Sequence, residues 1–234
     1  MGSGASSGDN RVLPEPLASG TERDEFERLL KEPVDAGNPH GWQIKKPWPA
    51  TYRDNFKMRV CLRKHESGNP NMLLRADGKF KGVVPQDFLD FLLKPENLPG
   101  LQEYRVVETI PDGVIMYMRV KAPGMKARDH VWKYTIDKRG GGSIFVTLRT
   151  VAHDQCPVTA SAIRVYYYNS SEFKMSAEED GVMEMTEFIF MDLKGKLPVW
   201  LLNFALPAGT IDTNRKEMAY LNKKKATAAS GAAA

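Results

Sequence analysis

The feature that most constrains this chain is the run at residues 191–221, MDLKGKLPVWLLNFALPAGTIDTNRKEMAYL. Leu197, Trp200, Leu201 and Phe204 recur at i, i+3, i+4 and i+7, which puts four large apolar groups on one helical face. Ala208, Ile211, Met218 and Leu221 continue the phase, while Asp212, Arg215, Lys216 and Glu217 fall off the line or at its margin. Pro198 suits a first turn, where its missing amide has no intrahelical partner. Pro207, inside the run, is expected to kink the helix. A long helix apolar along one side, placed after β-rich segments, needs an apolar sheet or cavity to lie on. An ordinary C-terminal docking helix satisfies the same pattern.

The chain is 234 residues with 42% apolar content, enough for one large domain with a folded core. No run approaches the roughly 20 apolar residues of a membrane span, and no signal-like apolar region follows the start. Cys61 and Cys156 fit neither a disulfide framework nor a zinc spacing, so free thiols in a reducing, cytoplasmic setting are expected. A net charge of +4 allows an anionic membrane surface as partner without calling for nucleic acid. Residues 1–20 are Gly/Ser-rich and read as disordered. They open Met1-Gly2-Ser3-Gly4-Ala5-Ser6, which fits the N-myristoylation pattern at Gly2, although an expression vector leaves a similar opening. One acyl chain binds membranes only marginally, and Arg215, Lys216 and Lys223-Lys224-Lys225 could supply the second signal. The Ala/Ser stretch 226–234 reads as an unstructured tail, which leaves one domain over 21–225.

Within that domain, Thr21 and Asp24 form a capping-box-like start to a helix over 21–32. Short strands are expected at 42–48 and 56–62, and another pair at 71–75 and 79–83 about an Asp77-Gly78 turn. Pro85 opens a helix ending before Lys94-Pro95. Longer strands follow at 104–110 and 114–121 about Pro111-Asp112-Gly113, and at 130–137 and 143–151 about Gly140-Gly141-Gly142. Two more, at 161–168 and 182–192, flank a turn near Asp180-Gly181. The fold class is α+β, an antiparallel sheet of about nine strands.

Strand parity places Val114, Met116, Met118 and Val120 on one face; Trp132, Tyr134 and Ile136 on one; and Arg164, Tyr166 and Tyr168 on one. Faces mixing methionine, aromatic rings and a few polar tips suit the wall of a deformable cavity for a greasy ligand with one polar end. The same residues can equally interdigitate as a solid core. Motifs for chemistry are missing. His40, His65, His130 and His153 are scattered without metal-ligand spacing, and no nucleophile elbow, P-loop or dinucleotide fingerprint occurs. His153 three residues before Cys156 reads as a chance pair.

Three stretches carry a family likeness. Arg128-Asp129-His130-Val131, after Lys121-Ala122-Pro123, resembles R-D-[FY]-V behind a proline-bearing link. Residues 152–157, AHDQCP, with Ala162-Ile163-Arg164-Val165, resemble S-H-x-x-x-P…V-[IV]-R. Asp192-Leu193-Lys194-Gly195 with Leu197-Pro198, Trp200-Leu201 and Asn203 resembles D-x-K-G-x-[IL]-P-x-W-[IL]-x-N. On these residues the chain resembles the START family, the steroidogenic-acute-regulatory-protein-related lipid-transfer domains. The resemblance implies a helix-grip, a curved antiparallel sheet wrapped round a long C-terminal helix that lids an apolar tunnel. It implies binding or transfer of one lipid, with no catalysis and no cofactor. The three aromatics that cage choline in phosphatidylcholine-binding members fall at Met118, His130 and Tyr168, so one of three is kept. The buried acidic/basic pair of sterol-type members falls at Met118 and Tyr134, both uncharged. Neither specificity transfers.

The expected ligand is therefore a phospholipid, sterol or similar lipid. Its contacts are expected at Met116, Met118, His130, Trp132, Tyr134, Arg164, Tyr166, Tyr168, Trp200, Leu201 and Phe204. Partners are that lipid and a membrane surface, met transiently or through acylated Gly2, with no nucleic acid and a monomeric chain. Loading requires the C-terminal helix to swing aside, with Pro207 and Gly209 as hinges. A membrane-tethered lipid sensor or scaffold, and an enzyme working inside the cavity, stand as alternatives.

Overall fold

The computed structural model describes residues 22–35, 38–94, 96, 100–195 and 197–231, with side chains as far as Thr227. Gly2, the rest of the 1–20 segment and Thr21 lie outside the described residues. In chain order the elements are α1 (Glu22–Leu30), β1 (Gln43–Lys46), β2 (Phe56–Lys64), β3 (Met72–Lys81), α2 (Pro85–Leu92), β4 (Leu101–Ile110), β5 (Gly113–Val120), β6 (Arg128–Lys138), β7 (Ile144–Thr150), β8 (Ile163–Arg164), β9 (Tyr166–Met175), β10 (Val182–Asp192) and α3 (Val199–Gly231). The strands form one curved sheet in the order β1-β2-β3-β10-β9-β7-β6-β5-β4. Every pair is antiparallel except β8, which lies parallel to β6 off this path. Because β10 inserts between β3 and β9, the end of the meander is zipped to the N-terminal strands.

Period-two alternation gives the sheet two apolar faces. On the outer face α1 seats Phe26 edge-on against Phe145 and Phe188, with ring centroids 5.1 and 5.4 Å apart. Arg75 on β3 donates to the Glu32 carbonyl at 3.1 Å and to Asp77 at 3.1 Å, so it ties down the end of α1. The inner face carries a continuous cluster that includes Val60, Leu74, Phe80, Met116, Val146, Phe173 and Ile189. Over it lie α2, whose Phe88 meets Phe80 at 4.8 Å, and α3, whose Met218 and Leu221 are buried.

Three expectations are corrected. Asp77-Gly78 is no turn: β3 runs unbroken from Met72 to Lys81. Gly78 has extended backbone, and a Cβ there would stand 2.5 Å from the Phe80 ring, so the glycine makes room for that ring. Asp77 is held in the strand by Arg59 (2.8 Å) and Arg75. The strand expected at 161–168 is instead the short β8, a break at Val165, and then β9 as far as Met175. The long helix begins one residue after Pro198, runs through Pro207 without interruption and continues past Lys225 to Gly231, into the stretch expected to be unstructured.

Replacing Gly78 with Ala forces a methyl against a fully buried ring that has no room to move. The unfolding free energy should fall by about 1–3 kcal/mol. A lower urea midpoint with an unchanged m-value checks this.

Candidate functional site

The inner faces of β5, β6, β9 and β10 share one apolar cluster with α3, which itself lies closest to β2 and β3. The ladder sets Met116 opposite Trp132, Met118 opposite His130, and Glu187 opposite Ser171. Trp132 is the centre of an aromatic group, with centroids 4.7 Å from His130, 6.2 Å from Tyr134 and 5.1 Å from Tyr167. Trp132, Tyr167, Val114, Ile136, Leu206 and Ile211 keep part of their surface accessible although they pack against the inner cluster.

This face is more polar than expected. Asn169 donates its amide to Glu187 at 3.1 Å and accepts from the Ser171 hydroxyl. Burial pushes the Glu187 carboxyl up to about 7, and the Asn169 hydrogen bond offsets only part of that. Glu217 on α3 is 4% exposed. Burial, and then the nearby charge of Glu187, hold its carboxyl well above the usual range. Burial likewise raises the Tyr134 and Tyr167 hydroxyls, and it lowers His130 to about 4, which leaves that ring neutral near pH 7. Glu217 Oε1, His130 Nδ1 and Trp132 Nε1 are buried with no protein partner.

The expected site residues divide three ways. Met116, Met118, His130, Trp132 and Tyr134 share the inner face. Tyr166 and Tyr168 point to the outer face, where they join Phe26, Phe145 and Phe188 under α1. Arg164 also faces away and forms a two-pronged pair with Asp129 at 3.0 and 2.9 Å. The three share one face, as alternation requires, but the register with β6, β7 and β10 makes it the outer face, so that Tyr167 takes the inward position. Trp200, Leu201 and Phe204 are 69%, 41% and 80% exposed. The helix turns Asn203 to the sheet instead: its side chain accepts from the Met72 amide at 3.1 Å and donates to the Pro70 carbonyl. The buried side of α3 accordingly carries Pro207, Thr210, Asn214, Glu217, Met218 and Leu221. Its far end is fixed by Lys225, which pairs with Asp87 at 2.9 Å.

Tyr167, Asn169, Glu187 and Glu217 escaped the sequence reading. For Glu187 a signal existed, because it interrupts the buried alternation Met183, Met185, Glu187, Ile189 with a single acid. Glu217 beside Met218 looked like a margin residue because the apolar stripe pointed elsewhere.

The START domain family model matches residues 83–227, more than half of the chain. The protein belongs to the START domain family. Among solved structures the fold is similar to human STARD10, with a TM-score of 0.69 at 15% identity over 92% of this chain and 86% of that one. It is also similar to human StAR-related lipid transfer protein 5, with a TM-score of 0.68 at 15% identity over 87% and 94%. A STAR-related lipid transfer protein fragment from Xanthomonas axonopodis gives 0.59 at 22% identity over 76% and 98%. No curated protein matches the sequence.

The Glu187 carboxyl fixes a pH dependence. Its folded-state value, about 7, lies above the ordinary 4.5, so the folded protein holds the proton more tightly than the unfolded chain. This contribution is complete below about pH 4.5 and is lost as pH rises through 7. Between pH 5 and 8 it should remove roughly 2–3 kcal/mol of stability. Urea unfolding across that range should show the decline, and Glu187→Gln should make it shallower, leaving the part that the raised Glu217 carboxyl contributes.

Proposed function

We propose that this chain binds one lipid between the concave face of the sheet and α3 and carries it between membranes without chemical change. The observation that carries this reading is the inner face itself. It belongs to a START fold, its apolar and aromatic side chains keep accessible surface while packed under α3, and several buried polar atoms there have no partner. The lipid-binding unit spans residues 21–225 and acts as a monomer at the cytoplasmic face of a membrane.

Moving lipid tails from a bilayer to an apolar slot is near neutral in free energy, so the protein's work is to lower the barrier. Exposed Trp200, Leu201 and Phe204 at the start of α3 are suited to the membrane interface, where aromatic rings settle at headgroup depth. Exposed Lys223 and Lys224 would add attraction to anionic lipid. Lys216 pairs with Asp212, and Lys225 with Asp87, so they contribute less. Pro207 and Gly209 are the hinges about which the first turns of α3 lift, and acylation of Gly2 would add a tether. The alternative of a cavity enzyme has one observation in its favour, the convergence of the raised Glu187 and Glu217 carboxyls with Tyr134 and Tyr167.

Native mass spectrometry with lipid extraction should find one lipid per chain, recovered unaltered after incubation. Chemical turnover of that lipid would favour the enzyme, and its retention in the presence of acceptor vesicles would favour a sensor. A cross-link joining α3 near Asn203 to the segment about Pro70 and Met72 should abolish transfer between vesicles while the fold survives. Unchanged transfer by the locked protein overturns the gating mechanism. Replacing Trp200 and Phe204 together with Ser should weaken vesicle association about tenfold, roughly 1.4 kcal/mol, in a sedimentation assay. Stability should not fall, because both side chains are already in solvent.

A further inference from the structure

From the buried carboxyls of Glu187 and Glu217, one of which has an unpaired oxygen, we infer that the lipid held here has a monocationic amine head and carries no phosphate. The inference rests on the lipid-binding reading above and specifies the headgroup that the interior takes.

The argument starts from charge balance. Glu187 comes from β10 and Glu217 from α3, and each acid is at least nine-tenths buried. Around Glu187 the neighbouring strands offer Asn169 and Ser171 from β9, Tyr167 further along β9, Tyr134 from β6 and the apolar Ala76 from β3. Among the described residues no basic side chain is buried on this face. The buried arginines, Arg63 and Arg75, belong to the outer face, where Glu32 and Asp77 hold them. His130 is on the inner side but is neutral near pH 7. A phosphate would enter a site that has carboxyls and no cation, so like-charge repulsion and desolvation would both oppose it.

An ammonium reverses each of those objections. Burial holds both carboxyls up, and the charge of Glu187 holds Glu217 up further, so the two acids carry at most about one negative charge near neutrality. One ammonium neutralises it. Its three donors then find Glu217 Oε1, which has no partner in the protein, together with Glu187, which has one hydrogen bond from Asn169. Tyr167, whose hydroxyl feels the charge of Glu187, and Trp132, with its ring centroid 5.1 Å from that of Tyr167, supply faces for cation–π contact and for the first methylenes of the chain. When a protonated amine binds, Glu187 gives up its proton, so binding strengthens as pH rises through 7. It weakens again once the amine itself deprotonates near pH 10.

The test is calorimetric titration of the full chain with three C18 probes below their micellar concentrations: a primary amine, the matching alcohol and the matching phosphate monoester. The amine should bind at least tenfold more tightly than the alcohol at pH 8, with the advantage shrinking at pH 6, and the phosphate should bind weakest. In Glu187→Gln and Glu217→Gln variants the amine should drop to the affinity of the alcohol, while alcohol binding and thermal melting stay the same or improve. Equal affinities for amine and alcohol, preference for the phosphate, or unchanged amine binding by both variants overturns the headgroup assignment and leaves the lipid-binding reading standing. Binding of none of the three probes overturns both.

Discussion

One sheet with two apolar faces has to be covered twice, and the difference between the two coverings organises this molecule. On the outside the cover is short and tight. Phe26 of α1 fits edge-on between Phe145 and Phe188, while Arg75 satisfies the carbonyls that the helix end leaves open and is itself neutralised by Asp77. Every charge buried on that side has an opposite charge in contact. The inner cover is long and is held chiefly at its ends and middle: Asn203 on the start of β3, Met218 and Leu221 on the apolar cluster, and Lys225 on Asp87. Its closest backbone approach is to β2 and β3. His130 and Trp132 of β6 lie on that inner side with a ring nitrogen each left unpaired. Two covers of one sheet, built from the same residue types, thus serve opposite purposes.

The parts of this fold that were legible in the sequence are those governed by local chemistry. Pro111-Asp112-Gly113 and the Gly140–Gly142 loop turn where such residues must turn, Pro85 opens α2, and the C-terminal motif announces the long helix. The failures share a cause, which is that contacts distant in sequence outweighed a local signal. Asp77-Gly78 has turn chemistry, but Arg59 and Phe80 hold both residues in a strand. Counting along 163–175 grouped Arg164, Tyr166 and Tyr168 on one face, but which face it is depends on the register with β6, β7 and β10, which the local sequence does not carry. For α3, counting apolar residues located a real stripe at Trp200, Leu201 and Phe204, and the structure turns that stripe outward. Hydrophobic periodicity reports an apolar face; it does not say whether protein or membrane will cover it.

The inner side of α3 makes the corresponding point in polar terms. Thr210 and Asn214 are buried, yet each bonds a carbonyl one turn back, at 2.9 and 3.0 Å, and so needs nothing from outside the helix. Glu217 has no such recourse, because a carboxyl on a buried face cannot be satisfied by its own helix. A methionine there would seat the helix at less cost, since an unpaired buried polar atom costs about 1–3 kcal/mol. The acid therefore weakens the grip of α3 at the point where Met218 and Leu221 strengthen it. A bound head that satisfies Glu217 would remove that weakness, so that occupancy of the interior and seating of the helix become linked through one side chain. On the proposed transfer reading the empty protein would have the looser helix and the loaded protein the tighter one, which is the direction such a cycle requires.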